Sequence, residues 1–107
     1  MKWEISFYDQ KVMRIVLAWP SGIKAKFTHI AELLKVHGPS EVGMPFVKAM
    51  GSGLFEILAR GQEGIGRAFF CMAAERKIII LHGFIKKSQQ TPNKELVVAK
   101  WRMKEVK

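Results

Sequence analysis

The sequence predicts an α+β domain: an N-terminal strand and helical hairpin, a three-stranded antiparallel meander and a C-terminal helix, in one domain over residues 1–107. Three observations predict it. Apolar residues recur at helical spacing up to residue 38 and again after residue 91. Strand-like segments crowd residues 54–85 with connections too short for crossover helices, which makes their pairing antiparallel. At 107 residues, 49% apolar and 25% charged, the chain has the size and composition of one globular domain, with no low-complexity tract or internal repeat.

Each element has its own signal. "WEISFY" (3–8) alternates and is rich in aromatic and β-branched residues, as a strand requires. Asp9 is an N-cap candidate for a short helix carrying Met13, Val16 and Leu17 and ended by Pro20. Ile23, Phe27, Ile30, Ala31 and Leu34 then form one apolar stripe on a second helix, closed by Gly38 in a left-handed cap and by Pro39. Residues 40–53, with scattered glycines and a proline, read as a connection holding at most a helical turn. "LFEILAR" (54–60), "IGRAFFCMA" (65–73) and "KIIILHGFI" (77–85) are the meander. In the last segment Thr91 is the N-cap candidate, with Pro92 at the first helical position and Glu95 in the first turn. Leu96, Ala99, Met103 and Val106 form its apolar side. Lys100, Lys104 and Lys107 recur at i, i+4 and i+7 as a basic ridge.

The longest aliphatic run, Ile78 to Leu81, is far short of the roughly 18 residues of a membrane span, and Glu4 stands where a signal peptide would build its apolar segment. Cys71 is the only cysteine, so no intrachain disulfide forms and a buried thiol is expected. A cytoplasmic location fits these features. The net charge is +9, unevenly spread. Residues 1–75 carry nine basic and seven acidic residues, and residues 76–107 nine basic and two acidic. The C-terminal third therefore attracts a polyanion: nucleic acid, an acidic protein or an anionic surface.

His29, His37 and His82 are not clustered with cysteines or carboxylates, and neither CxxC nor HExxH occurs, so no metal is expected. The glycines match neither phosphate-loop pattern, so no nucleotide cofactor or small-molecule ligand is expected either. Basic side chains remain. Alternation puts Glu56, Leu58 and Arg60 on one face of the first meander strand and Ile65, Arg67, Phe69 and Cys71 on one face of the second. Ile78, Ile80, His82, Phe84 and Lys86 share a face of the third. Antiparallel pairing then brings Arg67 and Lys86 together at one edge of the sheet, a cluster suited to phosphate. In metal-free RNA cleavage, His82 or a lysine would act as base or acid and Arg67 would stabilise the charge of the transition state. Structural alternatives stay open: His82 as a hydrogen-bonded core histidine, Arg60 paired with Glu56 or Glu63, and Lys87 as a solvated flank. Most aromatics read as core, with Trp101 the exception, off the apolar stripe of the last helix.

The ordered segments "MPFVKAMGSGLFEILAR", "IGRAFF" and "IIILHGFIKKSQQTPNKELVVAKWRM" resemble the HigB-like, phage-derived branch of the RelE/ParE toxin superfamily. That resemblance implies a RelE-like fold and a toxin, held by a helix-turn-helix antitoxin, that cuts mRNA on the ribosome without a metal. By the same likeness, Arg67, Lys86 and His82 are the catalytic candidates. Arg60, Lys87, Lys94, Lys100 and Lys104 are the RNA-binding candidates. The superfamily also includes ParE-type toxins that poison DNA gyrase, and a basic nucleic-acid-binding protein without catalysis is the third reading the charge allows.

Overall fold

The computed structural model describes residues 2–86 and 92–107, Lys86 by its backbone alone. Chain order runs β1 (Glu4–Phe7), α1 (Gln10–Leu17), α2 (Ser21–His37), β2 (Val47–Gly51), β3 (Leu54–Gly61), β4 (Gly64–Met72), β5 (Lys77–Lys86) and α3 (Asn93–Val106). All five strands join one mixed sheet in the order β1-β5-β4-β3-β2. Two differences from the sequence reading stand out. The N-terminal strand extends the meander by pairing parallel to β5, and residues read as a connection supply a fifth strand, β2, antiparallel to β3. β2 escaped notice because it is an edge strand, VKAMG, with only Val47 fully buried, so it lacks the alternation that marks a half-buried strand.

α1 and α2 cover one face of the sheet. Val12, Val16, Ile23, Phe27, Ile30 and Leu34 pack there against Ile57, Ala59, Ala68, Phe70, Ile78 and Ile80. α1 turns Val12 and Val16 inward, one turn apart, whereas Leu17 is exposed, contrary to the stripe expected. Asp9 caps α1 as anticipated, its carboxylate accepting from the Val12 N–H at 2.9 Å. α2 begins without a side-chain cap of its own; Glu63, at the tip of the β3–β4 hairpin, accepts from the Gly22 N–H at 3.2 Å. That contact engages one of the two carboxylates proposed for Arg60.

α3 covers the other face, where Ala99, Leu96, Met103 and Val106 pack on Leu54, Phe69, Cys71 and Leu81. Pro92 occupies the cap position of α3, and the first helical residue is Asn93. The Thr91 cap falls outside the described residues. Gly66 and Gly83 let α1 and the turn after it press onto the sheet. A Cβ on Gly66 would stand 2.6 Å from Ile23 and 2.7 Å from Trp19, and one on Gly83 would stand 3.0 Å from Val16. Among the described residues, no helix is long and apolar enough to cross a membrane.

Candidate functional site

Strand register sorts the candidate residues into three rows across β3, β4 and β5 on the α3 side of the sheet. The rows are Arg60–Ile65–Lys86, Leu58–Arg67–Phe84 and Glu56–Phe69–His82. Arg67 is therefore the diagonal neighbour of both Lys86 and His82, a relation that sets residues about 7–8 Å apart. The expected meeting of Arg67 and Lys86 is present in the backbone register. It lies at one end of the sheet, on its central strand, and not along an edge. The side chain of Lys86 and all of Lys87 fall outside the described residues.

The face assignment in β5 needs correction. Ile78 and Ile80 face α1 and α2, whereas His82 and Phe84 face the α3 side. The register shift between Phe69↔His82 and Phe70↔Ile80 leaves Leu81 as the extra residue of a β-bulge, which reverses the parity of the strand. Without the bulge, His82 would point into the α1/α2 core. A bulge also withdraws a backbone carbonyl from the ladder; here the Leu81 carbonyl accepts from Arg102 Nη1 of α3 at 2.8 Å.

Arg67 is 5% exposed, and its Nη1 donates to Glu56 Oε1 at 3.3 Å. Glu56, 1% exposed, is thus the partner of Arg67 and not of Arg60. This pair lies inside the sheet face, so Arg67 enters the site as a cation already neutralised and fixed in place. His82 is held likewise: Nε2 is 2.7 Å from Glu95 Oε1 of α3, with the two side chains 14% and 21% exposed, and its ring stacks on Phe84 at 5.8 Å. Glu95 was legible as a first-turn acid, but its role as the carboxylate orienting His82 depends on α3 docking over the bulge. Nδ1 of His82 is buried and has no hydrogen-bond partner among the described residues. The carboxylate on one ring nitrogen fixes the orientation of the imidazole, and the unpartnered second nitrogen is closed to solvent, so proton transfer through His82 requires that nitrogen to be uncovered.

The outer residues divide. Arg60 is exposed at the end of its row, and Lys94, Lys100 and Lys104 are exposed along α3. Lys100 and Lys104 keep the ridge expected of them, on the outside of the helix. Trp101 is 63% exposed beside Val97, lining an open cleft with Tyr8, Asp9 and Arg102. There the Tyr8 hydroxyl donates to Glu105 Oε1, and the Arg102 guanidinium lies 5.0 Å from the Tyr8 ring centre. The bond to the Glu105 carboxylate, which favours the protonated phenol, raises the Tyr8 pKa. Among the described residues no three His, Cys, Asp or Glu side chains converge as a metal site would require.

An α+β domain with a mixed sheet, one end of which carries cations aligned by register, is thus the class that fold and site define. Residues 3–104 match the family described as Phage derived protein Gp49-like (DUF891), and the chain belongs to that family, which is associated with toxin–antitoxin systems. Comparison with the curated proteins gives no match.

Proposed function

We propose that this protein is the toxin of a toxin–antitoxin pair, a metal-independent endoribonuclease that cleaves mRNA on the ribosome. The observation that carries the reading is the three-row register, which brings Arg60, Arg67 and His82, with the backbone of Lys86, toward one end of the sheet. In this reading Arg60 and Lys86 hold phosphates of the message. His82, oriented by Glu95, exchanges protons with the ribose 2′-hydroxyl or the leaving oxygen once binding of the message uncovers its Nδ1. Arg67, held by Glu56, stabilises the charge that develops on the phosphate. Lys87, Lys94, Lys100 and Lys104 extend the positive field for the rest of the strand. The partner is an antitoxin, and the exposed Val97 and Trp101 of α3 offer it an apolar footing.

A second reading is favoured by one observation: both Arg67 and His82 are engaged by carboxylates within the fold. A toxin that acts without cleavage, by poisoning DNA gyrase or by binding nucleic acid through charge alone, would use such residues as structure. Two assays on the purified protein separate the readings. Loss of full-length message only in the presence of ribosomes supports the nuclease; inhibited supercoiling with intact message supports the alternative.

A further inference from the structure

At the outer end of the Arg60 row lies a cavity whose other lining residues have no part in the roles above. β2 begins its pairing at Val47↔Ile57, so Leu58 to Arg60 run past its end, and residues 45–46 cover the open edge of β3. The Leu58 N–H donates to the Phe46 carbonyl at 2.8 Å and fixes that cover. A cavity of about 120 Å³ remains between them, lined by Lys26, Pro45, Phe46, Leu58 and Arg60. Drug-sized ligands occupy roughly 300–1,000 Å³, so this space suits a single ring.

Its lining combines two chemistries. Pro45, Phe46 and Leu58 are apolar, and the Phe46 ring is steadied edge-on by His29, centroids 5.9 Å apart at 89°. Lys26 and Arg60 supply two cations and the lining contains no acid. Among the described residues neither has a carboxylate within ion-pair distance, since Glu56 holds Arg67 and Glu63 engages the Gly22 N–H. Lys26 Nζ rests 5.6 Å from the Phe46 ring centre, an interaction of about 0.5–1 kcal/mol at exposed sites that a phosphate would readily outcompete.

We infer that this cavity is a subsite for one nucleotide of single-stranded RNA, with the base against Phe46 and the adjacent phosphate between Lys26 and Arg60. A bare anion would leave Pro45, Phe46 and Leu58 without a purpose, and an apolar ligand would leave two cations unanswered. A nucleotide satisfies both. Arg60 belongs to the cavity and to the row Arg60–Ile65–Lys86 at once. A strand seated here therefore continues across the sheet end toward Arg67 and His82. The inference rests on the RNA reading of that sheet end and adds where the flanking nucleotide is held.

The test is binding of a fluorescein-labelled single-stranded RNA pentamer, without ribosomes, to the wild type, Lys26→Ala, Phe46→Leu, Phe46→Ala and the distant Lys11→Ala. Phe46→Ala is expected to weaken binding about tenfold and Phe46→Leu less. Lys26→Ala should reduce the slope of log affinity against log salt by about 0.7, and Lys11→Ala should change nothing. Lys26 is on the surface of α2, so its variant reports even if a Phe46 variant unfolds. No binding by the wild type, or binding unaltered in Lys26→Ala and Phe46→Leu, overturns the subsite. So does tripolyphosphate competing equally well against the wild type and Phe46→Leu, which would leave a simple anion site. RNA binding that depends on Phe46 in a protein that leaves message intact on ribosomes would keep the subsite and sink the nuclease. Cleavage indifferent to Phe46 and Lys26 would do the reverse.

Discussion

Arg67 and Glu56 lie diagonally across neighbouring strands, Nη1 to Oε1 at 3.3 Å, with side chains only 6% and 1% exposed. Removing one charge of a buried pair leaves the other uncompensated and typically costs about 3–5 kcal/mol. Glu56→Ala is therefore expected to lower stability by that order, as measured by urea denaturation. Replacing both, Glu56→Leu with Arg67→Met, should recover most of the loss. A loss of activity in Arg67→Ala consequently needs a folding control. Arg67→Lys, which keeps the charge and forfeits the planar fork, is the more informative variant.

His82 and Glu95 join β5 to the first turn of α3. Glu95→Gln should preserve the fold, with a loss of about 1–2 kcal/mol in thermal unfolding, because a charge-assisted bond becomes a neutral one. Cleavage should fall more steeply, about tenfold or more, since the imidazole loses the group that orients it. Equal losses of both kinds of activity, binding and cleavage, would mark Glu95 as structural only.

Gly66 faces Trp19 and Ile23 with no room for a methyl group. Gly66→Ala is expected to destabilise by about 1–3 kcal/mol through overpacking. Gly43→Ala, where nothing lies within 4 Å, should leave the melting temperature nearly unchanged or raise it slightly. Paired melting curves of the two variants check the contrast.

Cys71 is buried, and loss of hydration raises its thiol pKa, with Lys107 opposing more weakly. Because the folded value lies above the unfolded one, the thiol's contribution to stability is full below the unfolded value. It is lost as pH rises through the folded value. The expected outcome is slow reaction with a disulfide reagent at pH 8, accelerated by denaturant; fast reaction in native buffer would contradict the burial.

Much of the fold was legible because local signals and tertiary packing agree: Asp9 caps α1, the Ile23–Leu34 stripe is the buried side of α2, and the meander strands pair as their short turns demand. Gly38 does end α2, beside Trp3, and has the positive φ of 80° that glycine permits, but its ψ of 165° is extended, so the cap is not the left-handed one expected. What escaped depends on pairing between distant segments. β2 has no burial pattern of its own, and the bulge at Leu81 is invisible to a strict alternation of two. Alternation groups Glu56 with Arg60 on one face of β3 and sets Arg67 on one face of β4 without relating the two strands; the register relates them, with Arg67 diagonally opposite Glu56 on the inner strand and Arg60 at the open end. The cavity at Lys26 and Phe46 joins α2 to the approach to β2, residues with no shared motif.

The measurement closest to the central claim maps the 5′ ends of a reporter mRNA after the purified protein is added to a bacterial translation extract, with His82→Gln and Arg67→Lys alongside. The account predicts new ends that require ribosomes, persist in the presence of a metal chelator at a concentration that ribosomes tolerate, and fall by about 100-fold in His82→Gln while that variant stays folded. Intact message with the wild type, or cleavage undiminished in both folded variants, would contradict it.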